Sequence, residues 1–282
     1  MNAAQIRQKA AFFILAVVTL LVVAPILMTI FYITRNGVGA ISWEFITQPP
    51  RNGMREGGIF PAIVGTIVLV IGTMLFSLPL GVLSAIYLVE YARDNFFTRL
   101  IKLSVVNLSG IPSIVYGLFG FTMFVLLLRL GTSIVAGSLT LAIMSLPVII
   151  TATKEALEAV PRSFREISLS LGATKWQTVR HCVLPYAIPG ILTGTVLSLS
   201  RAAGETAPIL FTVAAFYLPR LPRSVFDQVM ALPYHLYVIS TQVPNIPTEL
   251  SFATGFVLIA LVFVLNLVSI IFRAHFRKKK LW

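Results

Sequence analysis

Long apolar runs, separated by short basic or Pro- and Gly-rich segments, recur along the whole chain. Six of them, at about 11–33, 60–88, 103–128, 134–153, 186–217 and 251–272, reach the roughly 20 residues that a helix needs to cross a bilayer. The pattern predicts an all-α integral membrane protein with six transmembrane helices. Several runs carry helix breakers: Leu78-Pro79-Leu80-Gly81 in the second, Gly110-Ile111-Pro112 in the third, Leu146-Pro147 in the fourth, and Gly204 with Pro208 in the fifth. A proline removes a backbone donor, and in hydrocarbon such a break persists only where protein or a water-lined cavity satisfies the freed groups. Breaks of this kind favour a transporter over a simple anchor, although Pro and Gly are also commoner in membrane helices at large.

The connections set the orientation. Segments 1–10, 89–102, 154–185 and 273–282 hold 15 of the 22 basic residues, against Arg35, Arg51, Arg55, Arg129, Arg220 and Arg223 on the other side. By the positive-inside rule both termini face the cytoplasm. The first run, Ala11 to Ile33, exceeds the roughly 7–15 apolar residues of a signal peptide and lacks a small-x-small cleavage site, so an uncleaved helix is expected. Opposite lie two long connections, 34–58 and 218–250. In the second, Val225-Phe226, Val229-Met230 and Tyr234–Tyr237 suggest a short helix at the membrane interface, either packed on the bilayer or open to a partner protein.

Composition narrows the class. The chain is 57% hydrophobic and 11% charged, with a mean hydropathy of +0.90, so lipid is its solvent. Its net charge of +12 is spread over short clusters between apolar runs rather than along one polar face, which argues against nucleic acid. One cysteine and three scattered histidines offer neither an internal disulfide nor a metal site. The helices contain no convergent nucleophile, base or metal set that would make the chain an enzyme.

The one sizeable cytoplasmic connection, 154–185, holds a pattern of its own. Lys154 to Val160 continues the fourth helix, Pro161 starts a new turn, and Ser163 to Leu171 reads as a short helix stopped by Gly172 in left-handed geometry. Thr174 then caps a further helix expected to end before Pro185. Glu166, Gly172, Leu184 and Pro185 match, at the proper spacing, the signature E-A-A, three residues, G, nine residues, I-x-L-P. Ile167 and Ser168 stand in place of the alanines, and Cys182 in place of the isoleucine. In this the chain resembles the membrane subunits of binding-protein-dependent ABC importers.

The resemblance implies the type I (MetI-like) permease fold, in a single permease domain over 1–282 with an importer core at 60–272. It also implies that 154–185 is the coupling loop that docks on the ATPase, with Glu166, Gly172, Leu184 and Pro185 in the docking segment. No glycine is followed by lysine, so the phosphate-binding loop of an ATPase is absent. ATP and Mg are then bound by two partner ATP-binding subunits, and this chain needs no cofactor. Three further segments, Gly57–Thr66, Ile111–Gly117 and Arg201–Pro208, resemble the phosphate-specific permeases. The GETAP run at 204–208 and the short N-terminal region are more similar to the PstA-type than to the PstC-type subunit. That implies a PstC-like permease partner and an extracytoplasmic phosphate-binding protein.

Arg201 and Glu205 are charged residues deep in the fifth run, where each costs about 2.5–3.5 kcal/mol on insertion scales. Four residues apart, they can share a helix face and pair. Arg201 suits an oxyanion because its planar fork donates two parallel hydrogen bonds. Glu205 would hold it in place and keep binding weak enough for release. A buried pair that only locks helix packing is the alternative. Thr206, Asn107, Ser109 and Ser113 are candidate polar neighbours. Tetrahedral anions such as sulfate, molybdate or tungstate fit the same residue types, and a self-sufficient anion channel would not require the docking loop. A reporter fused after Trp282 is expected to be active only in its cytoplasmic form, and an extracytoplasmic signal overturns the six-span topology.

Overall fold

The computed structural model describes residues 3–278, so Lys279, Lys280 and Trp282 of the basic tail lie outside the described residues. A long helix α1 (Ala3–Gly37) leads through a 3-10 turn into α2 (Trp43–Thr47) and a two-stranded antiparallel hairpin, β1 (Pro50–Arg51) with β2 (Glu56–Gly57). Then follow α3 (Phe60–Ile86), α4 (Phe96–Ser109), α5 (Ser113–Gly120) and α6 (Ile134–Glu158). Three short elements, α7 (Arg162–Ser170), α8 (Lys175–Thr178) and a π-turn at Val179–Val183, lead into α9 (Leu184–Gly204). Helices α10 (Ala207–Leu210), α11 (Leu232–Thr241) and α12 (Thr248–Lys278) complete the chain.

Five helical stretches are long and apolar enough to cross a membrane, and α4 with α5 adds a sixth that is bent by 108°. The bend falls at Gly110-Ile111-Pro112, where the sequence places a breaker, and the Tyr116 hydroxyl staples it by donating to the Leu108 carbonyl at 2.7 Å. The fifth run ends its helix at Gly204, also as expected. Two other expected breaks are absent: α3 runs unbroken through Pro79 and α6 through Pro147. A proline deletes one ladder bond, but the rest of the ladder carries each helix through: Pro147 is buried in the bundle, whereas Pro79 lies on the exposed face of α3. Gly81 lies so close to Ile149 that a Cβ there would stand 2.6 Å from the Ile149 Cγ2.

In lipid, apolar contact alone gives helices little reason to associate, so close approach through small residues matters most. Helices α3 and α6 run side by side in the same direction, Gly72 meeting Ser138 and Gly81 meeting Ile149. Helix α9 runs antiparallel to α6, with Gly190 against Ala156 and Gly194 against Ala152. One buried cluster, including Leu157, Val179 and Val183, fills the end of this bundle near α7. A second, including Leu141, Met144 and Val213, fills the opposite half. Helix α1 stands apart, its apolar side chains exposed along most of its length, and packs on α12 where Gly37 meets Phe252.

Near the start of α6, the irregular segment 211–231 supplies the carbonyls that a helix N-terminus lacks. Ser133, Ile134 and Val135 donate their N–H groups to Thr212, Asp227 and Val225 at 2.9, 2.9 and 3.1 Å. Of the expected interfacial helix only the Tyr234–Tyr237 part is helical, in α11, while Val225-Phe226 and Val229-Met230 lie in the irregular segment before it, and α11 packs into the protein. Leu232, His235, Val238 and Ile239 are buried, and the Leu232 N–H donates to Thr66 of α3 at 2.8 Å. Apolar pairs at helical spacing do not distinguish lipid from a protein neighbour, which is why the sequence left this open.

His235 is 3% exposed, and its Nδ1 has no hydrogen-bond partner among the described residues. Burial pushes its pKa down to about 4 from 6.5. With the folded value below the unfolded one, the neutral ring's contribution is complete above pH 6.5 and is lost as pH falls toward 4, in total about 3 kcal/mol. The thermal midpoint of the detergent-solubilised protein is expected to drop across that window, and His235→Gln should flatten the drop; an unchanged pH profile in the variant refutes it.

Candidate functional site

Two regions hold the residues singled out from the sequence. The first is the loop after α6. Pro161 caps α7, and Gly172 takes a left-handed φ of +83° that ends it. Thr174 then opens α8 with a capping box, its hydroxyl accepting from the Gln177 N–H while Gln177 accepts from the Thr174 N–H at 2.8 Å. Ser168 and Thr178 share a buried hydrogen bond of 2.9 Å across the elbow. The loop is therefore a rigid helix-glycine-helix unit.

Its continuation differs from expectation. The helix opened by Thr174 does not stop before Pro185; it passes through the π-turn directly into α9, giving one stretch over Lys175–Gly204. Pro185 follows just after the π-turn, where the regular α ladder is already interrupted. Leu184 packs against the buried cluster around Val179 and Val183. Of the four expected docking residues, Glu166 and Gly172 are exposed on the elbow, while Leu184 and Pro185 root it in the membrane bundle. The sequence reading missed the elbow's apolar surface: Ile167, Leu171 and Trp176 are 63%, 84% and 49% exposed. Their spacing carried the signal, since Ile167 and Leu171 are one helical turn apart.

The second region lies at the end of α9. The Arg201 Nε donates to the Glu205 Oε1 at 3.1 Å, the pair anticipated from the spacing. The two do not share a helix, however. The helix ends at Gly204, and Glu205 follows in extended geometry (φ −75°, ψ 129°) before Thr206 leads into α10. Arg201 thus sits in the last turn, where its charge complements the negative end of the helix dipole. The α6–α9 register, continued from Gly190 and Gly194, brings Arg201 level with Ser145, near the middle of α6.

The broken span α4–α5 meets this break. Gly117 approaches the Ala207 carbonyl so closely that a Cβ would stand 2.8 Å from it, and Tyr116 lies within electrostatic reach of Arg201. Ser113 opens α5 half-buried, and Asn107 and Ser109 are exposed one turn or less before the bend. The Ser109 hydroxyl donates to the Val106 carbonyl at 2.6 Å. Among the described residues, no hydrogen bond joins Asn107, Ser113 or Thr206 to the ion pair. The side chains of Arg201 and Glu205 are 36% and 17% exposed, so the pair faces an opening in this chain rather than a closed core. Beside it, Ser200 hydrogen-bonds Asn266 of α12, a contact with no sequence signal beyond a lone amide in an apolar run.

Residues 77–281 match the family of binding-protein-dependent transport system inner membrane components. The chain belongs to this family. Among relatives, a probable ABC transporter permease, YqgI of Bacillus subtilis, is 37% identical over 88% of this chain and 89% of its own length. The phosphate transport system permease protein PstA of Mycobacterium leprae is 34% identical, covering 90% and 84% of the two chains. A probable phosphate transport system permease protein PstA of Methanocaldococcus jannaschii is also 34% identical, covering 92% and 90%.

Solved structures show the fold. A chain of a bacterial alginate ABC transporter, in complex with a periplasmic protein bound to an alginate pentasaccharide, superposes with a TM-score of 0.66 at 14% identity, covering 94% of this chain and 93% of that one. A chain of the inward-facing MetNI methionine ABC transporter gives 0.58 at 18%, covering 78% and 94%. The inner-membrane permease described here thus has the MetI-like importer fold, and its elbow and helix breaks can be read as parts of a transport machine.

Gly172 supplies a clean test of the elbow, because a Cβ there would meet nothing within 4 Å. Any penalty is then conformational. Gly172→Asn is expected to keep the permease's stability nearly intact, since Asn tolerates left-handed geometry, whereas Gly172→Val should cost about 1–2 kcal/mol. Equal thermal midpoints for the two variants would show that the elbow relaxes without strain.

Proposed function

We propose that this chain is the permease subunit of an ATP-driven importer of inorganic phosphate, forming half of the translocation path. Its partners are a PstC-like second permease, two ATP-binding subunits on the cytoplasmic side, and an extracytoplasmic phosphate-binding protein. Both termini face the cytoplasm. The observation that carries the reading is the Arg201–Glu205 pair, set at a helix break level with the middle of α6 and open on one side. The names of the relatives that align over nearly the whole chain support the substrate.

The chemistry follows from the charges. At the opening, the guanidinium of Arg201 offers an incoming phosphate a planar fork of donors. Glu205 occupies one of those donors when the path is empty, so no bare charge is left in the membrane. An arriving anion competes with Glu205, and that competition keeps binding shallow, as passage requires. ATP is bound and hydrolysed by the partner subunits, and the exposed apolar elbow at Ile167, Leu171 and Trp176 gives them a surface to grip.

Transport of labelled phosphate by the reconstituted complex tests this. Arg201→Lys keeps the charge but loses the fork, and uptake is expected to fall about tenfold or more, equivalent to about 1.4 kcal/mol. Arg201→Ala should abolish uptake, and Glu205→Gln should be the mildest because the amide keeps the shape and an acceptor for Arg201 and strands no negative charge. If Arg201→Ala complexes hydrolyse ATP in response to the binding protein and import phosphate at the unaltered rate, the pair is structural and the reading fails.

A further inference from the structure

Away from Arg201, at the root of the elbow, lies a second, more enclosed polar junction. Arg165 of α7 reaches Glu90 in the π-turn Tyr87–Tyr91 that ends α3, with Nη2 at 2.7 Å and Nε at 3.0 Å from the Glu90 Oε1. The same guanidinium donates to the carbonyls of Leu157 and Val160 at 2.9 Å each. Those carbonyls lie at the C-terminal end of α6, where helical partners run out. The two side chains are 19% and 7% exposed. One arginine thus ties together three elements: α3, α6 and α7.

Stability alone does not call for such a device, because a buried ion pair can usually be replaced by apolar side chains of similar volume without loss. What the pair adds is direction. Helix α7 otherwise packs on α8 and the π-turn that follows it, and Phe164 leans on Tyr186 of α9. Arg165 is the hydrogen-bonded link from the elbow to the end of α3, beside a weaker one in which the Lys175 ammonium lies over the Tyr91 ring at 5.2 Å, and α3 and α6 are the helices most closely packed together in the bundle. A fork that holds five hydrogen bonds at once resists both rotation and sliding, unlike a single apolar contact.

We infer that Arg165 and Glu90 form a strut that carries movement of the docked elbow into α3 and α6, making both positioning residues for ATP-driven transport. The inference rests on the docking reading given above. When the ATPases pull the elbow, the strut moves the lower ends of α3 and α6 with it as one body; without the strut, the elbow turns on its chain connections to α6 and α9 and the stroke into α3 is lost. Binding to the ATPases is untouched, because Ile167, Leu171 and Trp176 lie on the elbow's free surface.

The test uses the full complex, reconstituted in liposomes with the ATPases, the second permease and the binding protein. Arg165→Lys and Glu90→Gln are compared with the unaltered chain for loop-to-ATPase cysteine cross-linking, ATP hydrolysis and phosphate uptake. Cross-linking is expected to persist, while the number of phosphates moved per ATP falls roughly tenfold. In a Cys182→Ser background, Glu90→Cys with Arg165→Cys should be uncoupled as made, and bridging the two thiols with a short bis-maleimide should restore coupling. Variants that assemble and retain full coupling overturn the strut, and so does a bridged protein that stays uncoupled although the variants cross-link normally. Loss of the cross-link only in the variants would make the pair a scaffold for docking and overturn transmission. Absence of any cross-link in the unaltered chain would refute the docking reading itself.

Discussion

Inside a bilayer an unpaired backbone N–H or C=O costs several kcal/mol, and most of this architecture follows from that one constraint. A span can be interrupted only where another part of the protein supplies the missing partner, so breaks cannot be scattered freely. The α4–α5 bend survives because Tyr116 reaches back to the Leu108 carbonyl. The start of α6 is satisfied by carbonyls of the irregular segment 211–231. At the lower end, Arg165 closes the end of α6 with side-chain donors. Two of these repairs are local, Tyr116 and Arg165 each reaching back within eight residues, while the third joins α6 to a segment far along the chain, and the interruptions thereby become the joints of the fold.

Charge obeys a related economy. Only ten acidic residues stand against 22 basic ones, so an acid held inside the helical bundle is informative about what surrounds it. Glu90 and Glu205 are each shielded from solvent, and each meets an arginine. The two pairs differ in setting. The first is enclosed by backbone acceptors and holds parts together, while the second borders an opening and leaves donors of Arg201 free. A static pair and an exchangeable one are built from the same two residue types, separated by what else the guanidinium touches.

The features legible in the sequence were those with local causes. Apolar run length marked the spans, Gly110-Ile111-Pro112 and Gly204 marked two real interruptions, and Gly172 with Thr174 marked the elbow. Pro79 and Pro147 misled because a single lost ladder bond does not by itself break a long helix: α3 and α6 stay regular, one with its proline exposed and the other with it buried. Nor did the sequence show the burial of α11 or the run of helix through Pro185 into α9. Arg201 and Glu205 were found by their spacing, although the chain reaches the same pairing through a helix end rather than along a helix face. Glu90 and Arg165, 75 positions apart, left no periodic trace at all.

Helix α1 imposes an order of events on assembly. Its first contact of note within the chain is with α12, where Gly37 meets Phe252, and most of the polypeptide separates the two. During synthesis α1 enters the membrane early and must wait there, solvated by lipid, until α12 has emerged. The intervening helices α3, α6 and α9 can pack meanwhile, so the core matures before its outermost helix is seated. A chain truncated before α12 would therefore hold a packed bundle with α1 unseated beside it.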